Sequence, residues 1–538
     1  MKSSKTVALY NVVFESRRYK SLRRFLSIIK YVVVAVLVHL YALVLITKDW
    51  TGSWCRDVKF TVGSVIFGDV VALHSIMADA NLFAKAAEKC KALRLLLQAS
   101  TKFFIFKVII WMILAGFVAF YVVRKGIHDW RSLIPVWGAA LFVTVGYVFS
   151  KHRSHISWTA IRMGLATQIL CGFVAIRWNP DFFTCISSKL EQALEFTNCG
   201  SLFVFGHLVD GAFDGIPQQI PIFAFSSLPV VIFFGFFISV LCYLGAVQFV
   251  MLNMGQLMHL TTRITACECM CSVVSVFLGE TAAASLIKPY LSEMTLSELH
   301  CVMSSGFSGV SGVVFALLIH WGTNGAHLLA ANLMSAPAAL VMSKLMYPET
   351  EKSTTSSDVI RPARSQEKTI FEAGSNGVHH VMGVAARMAA SLIAYKSFLY
   401  MIDNILRTLG DLVDAHWSLQ GVLGNVFAVI SMLMGVDSDE MTTVGYLIGL
   451  RVCASEVIAF MELKSLTSQN KLTARGELIS IYALCSTSNL SNIGPIERLF
   501  IHVAPRRADD IFDLSWRAMF TGCLCSFVNA CIASALIE

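Results

Sequence analysis

Long apolar runs recur along the chain, separated by short polar stretches. Runs long enough to cross roughly 30 Å of hydrocarbon lie at residues 30–48, 103–123, 133–150, 158–178, 226–250, 298–321, 327–346, 379–402, 475–496 and 516–537. A weaker candidate lies at 60–78. The pattern predicts an all-α polytopic membrane protein with about 11 transmembrane helices.

Composition supports this class. Of the 538 residues, 56% are hydrophobic and only 14% are charged, which is too apolar for a soluble multidomain protein. The net charge of +8 is scattered over loops, and no basic face is interleaved with aromatic residues, so we expect membrane lipid rather than nucleic acid as a partner.

Basic residues near the ends of the runs predict the orientation, because such residues stay on the cytoplasmic side. The stretch RRYKSLRR (Arg17 to Arg24) predicts a cytoplasmic N-terminal segment at 1–29. The basic loop from Lys85 to Lys102 and a linker at 348–378 are also expected inside. The acidic stretch from Trp178 to Ile222 is expected to be an extracellular loop. Eleven crossings then predict an extracellular C-terminus.

The 15 cysteines lie mostly within apolar runs, where a thiol behaves as a small hydrophobic group. Cys267, Cys269 and Cys271 are spaced two apart, so on a helix they point in different directions and do not predict a metal site. Cys185 and Cys199, in the expected outer loop, are better candidates for a disulfide.

The order of apolar segments repeats. Residues 223–347 contain a span, a broken apolar segment at about 255–290 and two further spans, and residues 379–538 follow the same order with the broken segment at about 430–463. The two sets begin on opposite sides of the membrane, so we expect two inverted repeats, each with a re-entrant hairpin. Such repeats are typical of secondary transporters, with the solute site at the broken segments.

Two carboxylates, Glu280 and Glu456, occupy corresponding places near the tips of the broken segments, in FLGETAAASLIKPYL and YLIGLRVCASEVIAF. An ionisable group at membrane depth is costly and is a functional-site hypothesis by default. Two carboxylates in one small, poorly solvated cavity disfavour double ionisation, so the site could carry a proton. A third acid, Glu268, could pair locally with Arg263 or have a functional role.

Several stretches resemble the concentrative nucleoside transporter family, from FSKHRS (Phe149 to Ser154) almost to the C-terminus. They include KPYLSEMTLSELH (Lys288 to His300), MSAPAAL (Met334 to Leu340), SKLMYPETEKS (Ser343 to Ser353) and APRRADDI (Ala504 to Ile511). The resemblance implies a plasma-membrane homotrimer that moves nucleosides inward with sodium or, in some members, protons. It also implies additional N-terminal helices at 30–132 and scaffold helices within 133–222.

The resemblance implies solute contacts at both hairpins. The first tip, GETAAA, has Glu280 where the family has a glutamine, retains Thr281, and has Ala282 in place of a glutamate. The second tip, SEVIAF, retains in Glu456 the carboxylate that resembles the family's contact with ribose hydroxyls.

Further solute contacts are implied by the helices that follow the hairpins. They map onto Val314, onto Asn489, which is retained, and onto Thr487 and Asn492, which replace a phenylalanine and a serine. The replaced phenylalanine packs on the base in the family. Base selectivity is therefore the property most affected by these departures.

The family's sodium ligands, which are mostly backbone carbonyls, map onto Ser275, Leu278, Gly309 and Val310. Gly309 has lost the side-chain oxygen that the family has there, and hard cations need several oxygen ligands. The coupling ion therefore stays open between sodium and proton, with no other cofactor expected.

Two other classes of function remain as alternatives. A non-transporting or regulatory membrane relative of the family would fit the altered sodium and base contacts. An enzyme is not expected, because the chain has no HExxH, G-x-S-x-G or P-loop pattern.

Overall fold

Helices account for the regular secondary structure in the described part of this computed structural model, which comprises residues 133–211, 222–353 and 367–537 together with Gly116. The expected N-terminal segment, the basic loop from Lys85 to Lys102 and the predicted runs at 30–48, 60–78 and 103–123 therefore lie outside the described residues, apart from Gly116. The all-helical prediction is confirmed for the part that is described.

The first three helices follow one another closely. They are α1 (Ile134–Val148), α2 (Trp158–Phe173, extended by a π-helical turn at Val174–Trp178) and α3 (Pro180–Phe205). Helix α3 is where the sequence predicted an extracellular loop. The side chain of Asn179 accepts a hydrogen bond from the Phe182 amide and caps the helix, and Pro180 is its first residue, a favourable position for proline. The loop prediction failed because the acidic residues lie on the exposed face of an amphipathic helix.

The expected disulfide is wrong for the same reason. Cys185 and Cys199 both lie on α3 and are free thiols. At 1.5 Å of rise per residue they are about 21 Å apart along the helix axis, well beyond the reach of a disulfide.

Two successive sets of helices follow. The first contains α4 (Phe223–Ser226), α5 (Leu228–Leu244), α6 (Ala246–Thr262), α7 (Ala266–Leu278), α8 (Glu280–Ile287), α9 (Leu296–Phe307), α10 (Gly312–His320) and α11 (Gly325–Met346). The second contains α12 (Ile370–Asp411), α13 (Leu419–Leu433), α14 (Met441–Cys453), α15 (Glu456–Ser468), α16 (Ala474–Ser486), α17 (Ile493–Val503) and α18 (Ala508–Leu536).

The same order of elements is present in both sets: a long helix, a second helix, a hairpin of two short helices, an interrupted helix and a final long helix. We call α7 with α8 hairpin 1, and α14 with α15 hairpin 2. The opposite orientation of the two sets stays a prediction. The linker is shorter than expected, because α12 begins at Ile370, capped by Thr369, rather than at residue 379.

Two spans expected to be continuous are interrupted. Residues 308–311 separate α9 from α10, and residues 487–492, which include a 3-10 turn at Leu490–Asn492, separate α16 from α17. Backbone polar groups at such breaks need partners inside the protein or in a water-filled cavity. The breaks are therefore candidate parts of a solute or ion site, as the hairpin tips are.

Helix α11 lies at the centre and packs against α2, α3, α7, α9, α16 and α18. Helix α12 lies at the periphery, where Ile393, Phe398 and Tyr400 are exposed. Five helical stretches in the described part are long and apolar enough to cross a bilayer: Trp158–Trp178, Phe223–Leu244, Leu296–His320, Gly325–Met346 and Pro505–Leu536. The protein is a polytopic membrane protein.

Candidate functional site

Both hairpins turn sharply, and in each the second helix begins with a glutamate. Gly279 separates α7 from Glu280, the first residue of α8, while Ala454 and Ser455 separate α14 from Glu456, the first residue of α15. A carboxylate in the first turn of a helix is favoured by the free amides and by the helix dipole. The prediction that the two acids lie at corresponding hairpin tips is confirmed.

The tip of hairpin 1 depends on glycine and lies against the break between α9 and α10. Gly279 has φ +89° and ψ 173°, a region that is essentially restricted to glycine. A Cβ on Gly279 would lie 3.0 Å from Cβ of Ser311, and one on Gly312 would lie 2.5 Å from the Phe277 carbonyl oxygen. The end of the hairpin and the break are thus in close contact.

The carboxylate of Glu456 is held by two donors. Nη1 of Arg451 lies 2.6 Å from Oε2 of Glu456, and Nδ2 of Asn489 donates to the same oxygen at 3.0 Å. Arg451 is buried, with 3% of its side chain exposed, against 19% for Glu456. Hairpin 2 and the break between α16 and α17 therefore share one ion-paired cluster.

Two more hydrogen bonds join the same elements. Nε of Arg451 donates to the Leu484 carbonyl at 2.9 Å, and the Ser491 hydroxyl donates to the Ala454 carbonyl at 2.7 Å. Asn489 also caps the 3-10 turn through its Oδ1, which accepts from the Asn492 amide. Sequence reasoning missed Arg451, although a basic residue inside the apolar stretch YLIGLRVCASEVIAF is the same signal that singled out the glutamates.

Glu280 has a different environment. It is half-buried, and in the part of the chain that the structure describes no other side chain hydrogen-bonds to its carboxylate. Glu456 and Arg387 act on it electrostatically. A Cβ on Gly306 would lie 3.3 Å from Cβ of Glu280 and 4.0 Å from Cδ1 of Ile496. Both hairpin tips thus adjoin the segment from Asn489 to Ile496.

The other residues implied as solute contacts fall into two groups. Thr281 and Ala282 continue the first tip and Asn492 lies in the break, each at least partly exposed, whereas Val314 is buried in α10. Thr487 is fully buried, and its hydroxyl is hydrogen-bonded to the Ala483 carbonyl and to the Ser526 hydroxyl. The hydroxyl of Thr487 is therefore engaged in helix packing, and its role in solute contact stays a prediction.

The residues implied as sodium ligands lie where the end of α7 faces the break after α9. A Cβ on Gly309 would lie 3.5 Å from Cγ2 of Val276, the residue after Ser275. The Ser275 hydroxyl is buried, and its polar neighbour is the Cys271 thiol, which is only a weak hydrogen-bonding group. A buried oxygen with so weak a neighbour fits a site that takes a ligand. Leu278, the last residue of α7, completes the set with its backbone carbonyl.

Asn332, on α11, holds the break beside these residues. Its Oδ1 accepts from the Val310 amide at 3.2 Å, and its Nδ2 donates to the Val310 carbonyl at 3.3 Å. The interrupted helix leaves both Val310 groups without helical partners, so the amide of Asn332 replaces them. The Val310 carbonyl oxygen has a second lone pair and can still coordinate a cation. An asparagine inside the apolar run at 327–346 was the missed signal.

Glu268 does not pair with Arg263, so the local pairing considered from the sequence is wrong. Its Oε1 lies 2.6 Å from Nζ of Lys344, at the far end of α11, and its Oε2 accepts from the Thr265 hydroxyl. Lys344 also donates to the Ser297 hydroxyl at 2.9 Å. The carboxylate has a partner distant in sequence, and that cluster joins α7, α9 and α11 away from the hairpin tips.

The described residues contain no group of three or more His, Cys, Asp or Glu side chains arranged to hold a metal ion. Cys267, Cys269 and Cys271 are buried free thiols on α7.

Comparison with known proteins identifies related chains. Models of the Na+ dependent nucleoside transporter family match at residues 137–208, for its N-terminus, and 327–534, for its C-terminus. Sodium/nucleoside cotransporter 2 of Rattus norvegicus and sodium/nucleoside cotransporter 1 of Oryctolagus cuniculus are each 34% identical over 423 residues, which is 76% of this chain and 63% of each relative. This chain thus spans somewhat less than two thirds of the length of these relatives.

Solved structures give the same result. The structure of CNTnw in an inward-facing substrate-bound state matches with a TM-score of 0.70 at 27% identity, covering 76% of this chain and 98% of that one. A doubly substituted CNTnw in an outward-facing state matches with a TM-score of 0.71. The relatives are cotransporters rather than enzymes, in agreement with the expectation from the sequence.

Proposed function

The chain belongs to the concentrative nucleoside transporter family, and from that premise we propose that it moves nucleosides into the cell by coupling their movement to a cation gradient. The two hairpin tips and the two helix breaks form the solute site in this proposal. The regulatory, non-transporting alternative is less favoured. The relatives are named as cotransporters, and at hairpin 2 both Arg451 and Asn489 bind the carboxylate of Glu456.

The observation that carries the proposal is the geometry of the Glu456 carboxylate. Arg451 and Asn489 both bind Oε2, and no described residue donates to Oε1. The second oxygen, Oε1, is therefore open to hydroxyl donors, and hydrogen bonds to a carboxylate are strong. Ribose carries two adjacent hydroxyls, so a nucleoside suits this acceptor.

The first tip and the breaks would contact the rest of the solute. Glu280 and Thr281 lie on the first tip, and Asn492 offers a partly exposed amide that both donates and accepts. Val314 and Thr487 contribute buried, mainly apolar surface. This combination supports a site that binds the sugar firmly and the base with few polar contacts.

Sodium is the coupling ion that the names of the relatives support. The Ser275 hydroxyl and the backbone carbonyls of Leu278, Gly309 and Val310 would supply oxygen ligands. Proton coupling through Glu280 and Glu456 is the second candidate, and the electrostatic interaction between these carboxylates favours it.

We propose that the oligomeric state and the membrane location are those that the family resemblance implies. The exposed apolar side chains of α12 are suited to contact with lipid or with other protomers of a homotrimer. The protein would lie in the plasma membrane with its N-terminus in the cytoplasm and its C-terminus outside.

Uptake of a panel of radiolabelled nucleosides by cells that express the chain tests the proposal. Sodium is replaced by choline in one arm, and external pH is varied in another. We expect concentrative uptake that falls when the coupling gradient is removed. If no nucleoside accumulates above cells that display Glu456→Gln at equal surface abundance, the transport function is wrong and the regulatory alternative gains.

A further inference from the structure

Arg451 is a buried charged residue that none of the comparisons assigns a role. It lies near the end of α14, with 3% of its side chain exposed. Burying a guanidinium is unfavourable unless it is paired and hydrogen-bonded. Both ends of its planar group are used, one on Glu456 at 2.6 Å and one on the Leu484 carbonyl at 2.9 Å.

The first contact orients the carboxylate. Arg451 reaches Glu456 across the hairpin tip, from the end of α14 to the start of α15. It shares Oε2 with Asn489, which restrains the rotation of the carboxylate and leaves Oε1 without a donor among the described residues. A guanidinium presents donors in a rigid fork, and an ammonium group does not have this geometry.

The second contact concerns the helix break. Leu484 is in the last turn of α16, whose carbonyls lack intrahelical partners. A cation at this end of a helix is also favoured by the dipole. Arg451 therefore connects the tip of hairpin 2 to the end of α16, and Asn489 connects the same tip to the residues after the break.

We propose that Arg451 is a positioning residue for solute recognition: it holds Glu456 so that Oε1 accepts hydrogen bonds from vicinal hydroxyls of the solute. The inference rests on the proposed function and deepens it: the ribose contact of Glu456 is what the family resemblance implies, and the new element is the role of Arg451 in positioning that carboxylate. Arg451 acts through Glu456 and does not itself contact the solute.

The test compares uptake of a nucleoside with uptake of its 2′,3′-dideoxy analogue. The variants are Arg451→Met, which removes the charge, Arg451→Lys, which keeps the charge but not the fork, Glu456→Gln, and the double variant Arg451→Met with Glu456→Gln. Arg407→Met, which removes an exposed arginine paired with Asp403 on α12, is the matched control. Surface abundance is measured for each by biotinylation.

We expect the unsubstituted chain to prefer the nucleoside over the dideoxy analogue. Arg451→Met should raise KM for the nucleoside at least about tenfold, the loss expected for one charged hydrogen-bond partner, and bring uptake of the two compounds close to equality. Arg451→Lys should have a KM and a preference for the nucleoside that lie between those of the unsubstituted chain and those of Arg451→Met. In the Glu456→Gln background, Arg451→Met should add no further loss, because residues that act through one group are not additive. Arg407→Met should leave both readouts unchanged.

Three results would overturn the inference. One is an Arg451→Met chain that reaches the surface with unchanged KM and unchanged discrimination. Another is additivity of the two substitutions in the double variant. If Arg451→Met does not reach the surface, unchanged discrimination in Arg451→Lys is the third. Failure of the proposed function is distinguishable, because the unsubstituted chain would then take up neither compound.

Discussion

The two hairpins share one design and differ in how their acidic tips are held. In both, a glutamate begins the second helix and the tip lies against a helix break. In hairpin 2, Glu456 is bound by Arg451 and Asn489. In hairpin 1, Glu280 has electrostatic neighbours but no hydrogen bond from another described side chain.

The difference between the partners of Glu456 and those of Glu280 suggests a different role for each acid. A carboxylate with a buried guanidinium and an amide on one oxygen is held in one orientation, as recognition requires. A carboxylate without such partners, facing a second acid, is the one whose charge can change during a transport cycle. We therefore propose that solute recognition depends mainly on hairpin 2 and ion coupling mainly on hairpin 1.

The largest effect is expected from Glu456→Gln. This substitution removes the charged acceptor of two solute hydroxyls, each hydrogen bond being worth about 1.5–3 kcal/mol, which together is equivalent to roughly a 100-fold or greater loss of affinity. It also leaves the buried Arg451 without its counterion. Initial rates of nucleoside uptake over a range of concentrations measure it. Glu462→Gln, on the same helix beyond the tip, is the matched control and should retain uptake. Equal uptake rates for Glu456→Gln and Glu462→Gln would mean that the anchored carboxylate at the tip of hairpin 2 has no special role in recognition.

A second effect is expected from Glu280→Gln. If Glu280 carries the coupled proton, uptake by the unsubstituted chain acidifies the cytosol, and the variant loses both this signal and the gain conferred by the pH gradient, about 5- to 150-fold for a typical coupling free energy. An intracellular pH indicator, read during nucleoside addition, measures it. Uptake that follows sodium and ignores the pH gradient would assign coupling to the Ser275 region instead.

The smallest effect is expected from Ser491→Ala. It removes one hydrogen bond to the Ala454 carbonyl, worth about 0.5–1.5 kcal/mol, so uptake should fall only about two- to tenfold. Arg451 and Asn489 still hold the tip. Ser468→Ala, at the exposed end of α15, is the control for a lost serine. A loss as large as that of Glu456→Gln would mean that the backbone contact, not the ion pair, holds hairpin 2.

Much of this architecture was accessible from the sequence. The apolar run at 133–150 became α1 and the run at 327–346 became α11, because a bilayer-length apolar stretch has few other conformations. Glu280 and Glu456 were identified because a charge inside an apolar stretch is costly wherever the chain folds. Helix α3 was missed, because its amphipathic pattern lacks the apolar length of a span and its acidic residues suggested a loop.

Contacts between distant residues were not accessible in this way. Glu268 was compared with its neighbour Arg263, yet its partner is Lys344 at the end of another helix. The break at Val310 could not be inferred without Asn332, whose amide replaces the missing helical bonds.

The sequence by itself determined the class of protein, the positions of most helices and the two acids at the hairpin tips, because hydrophobic length and the cost of burying charge act locally along the chain. Only the tertiary structure decided which acid is anchored. The partners of Glu456 come from two different helical elements, α14 and the break after α16, and a hydrogen bond depends on distances of about 3 Å that sequence spacing does not specify.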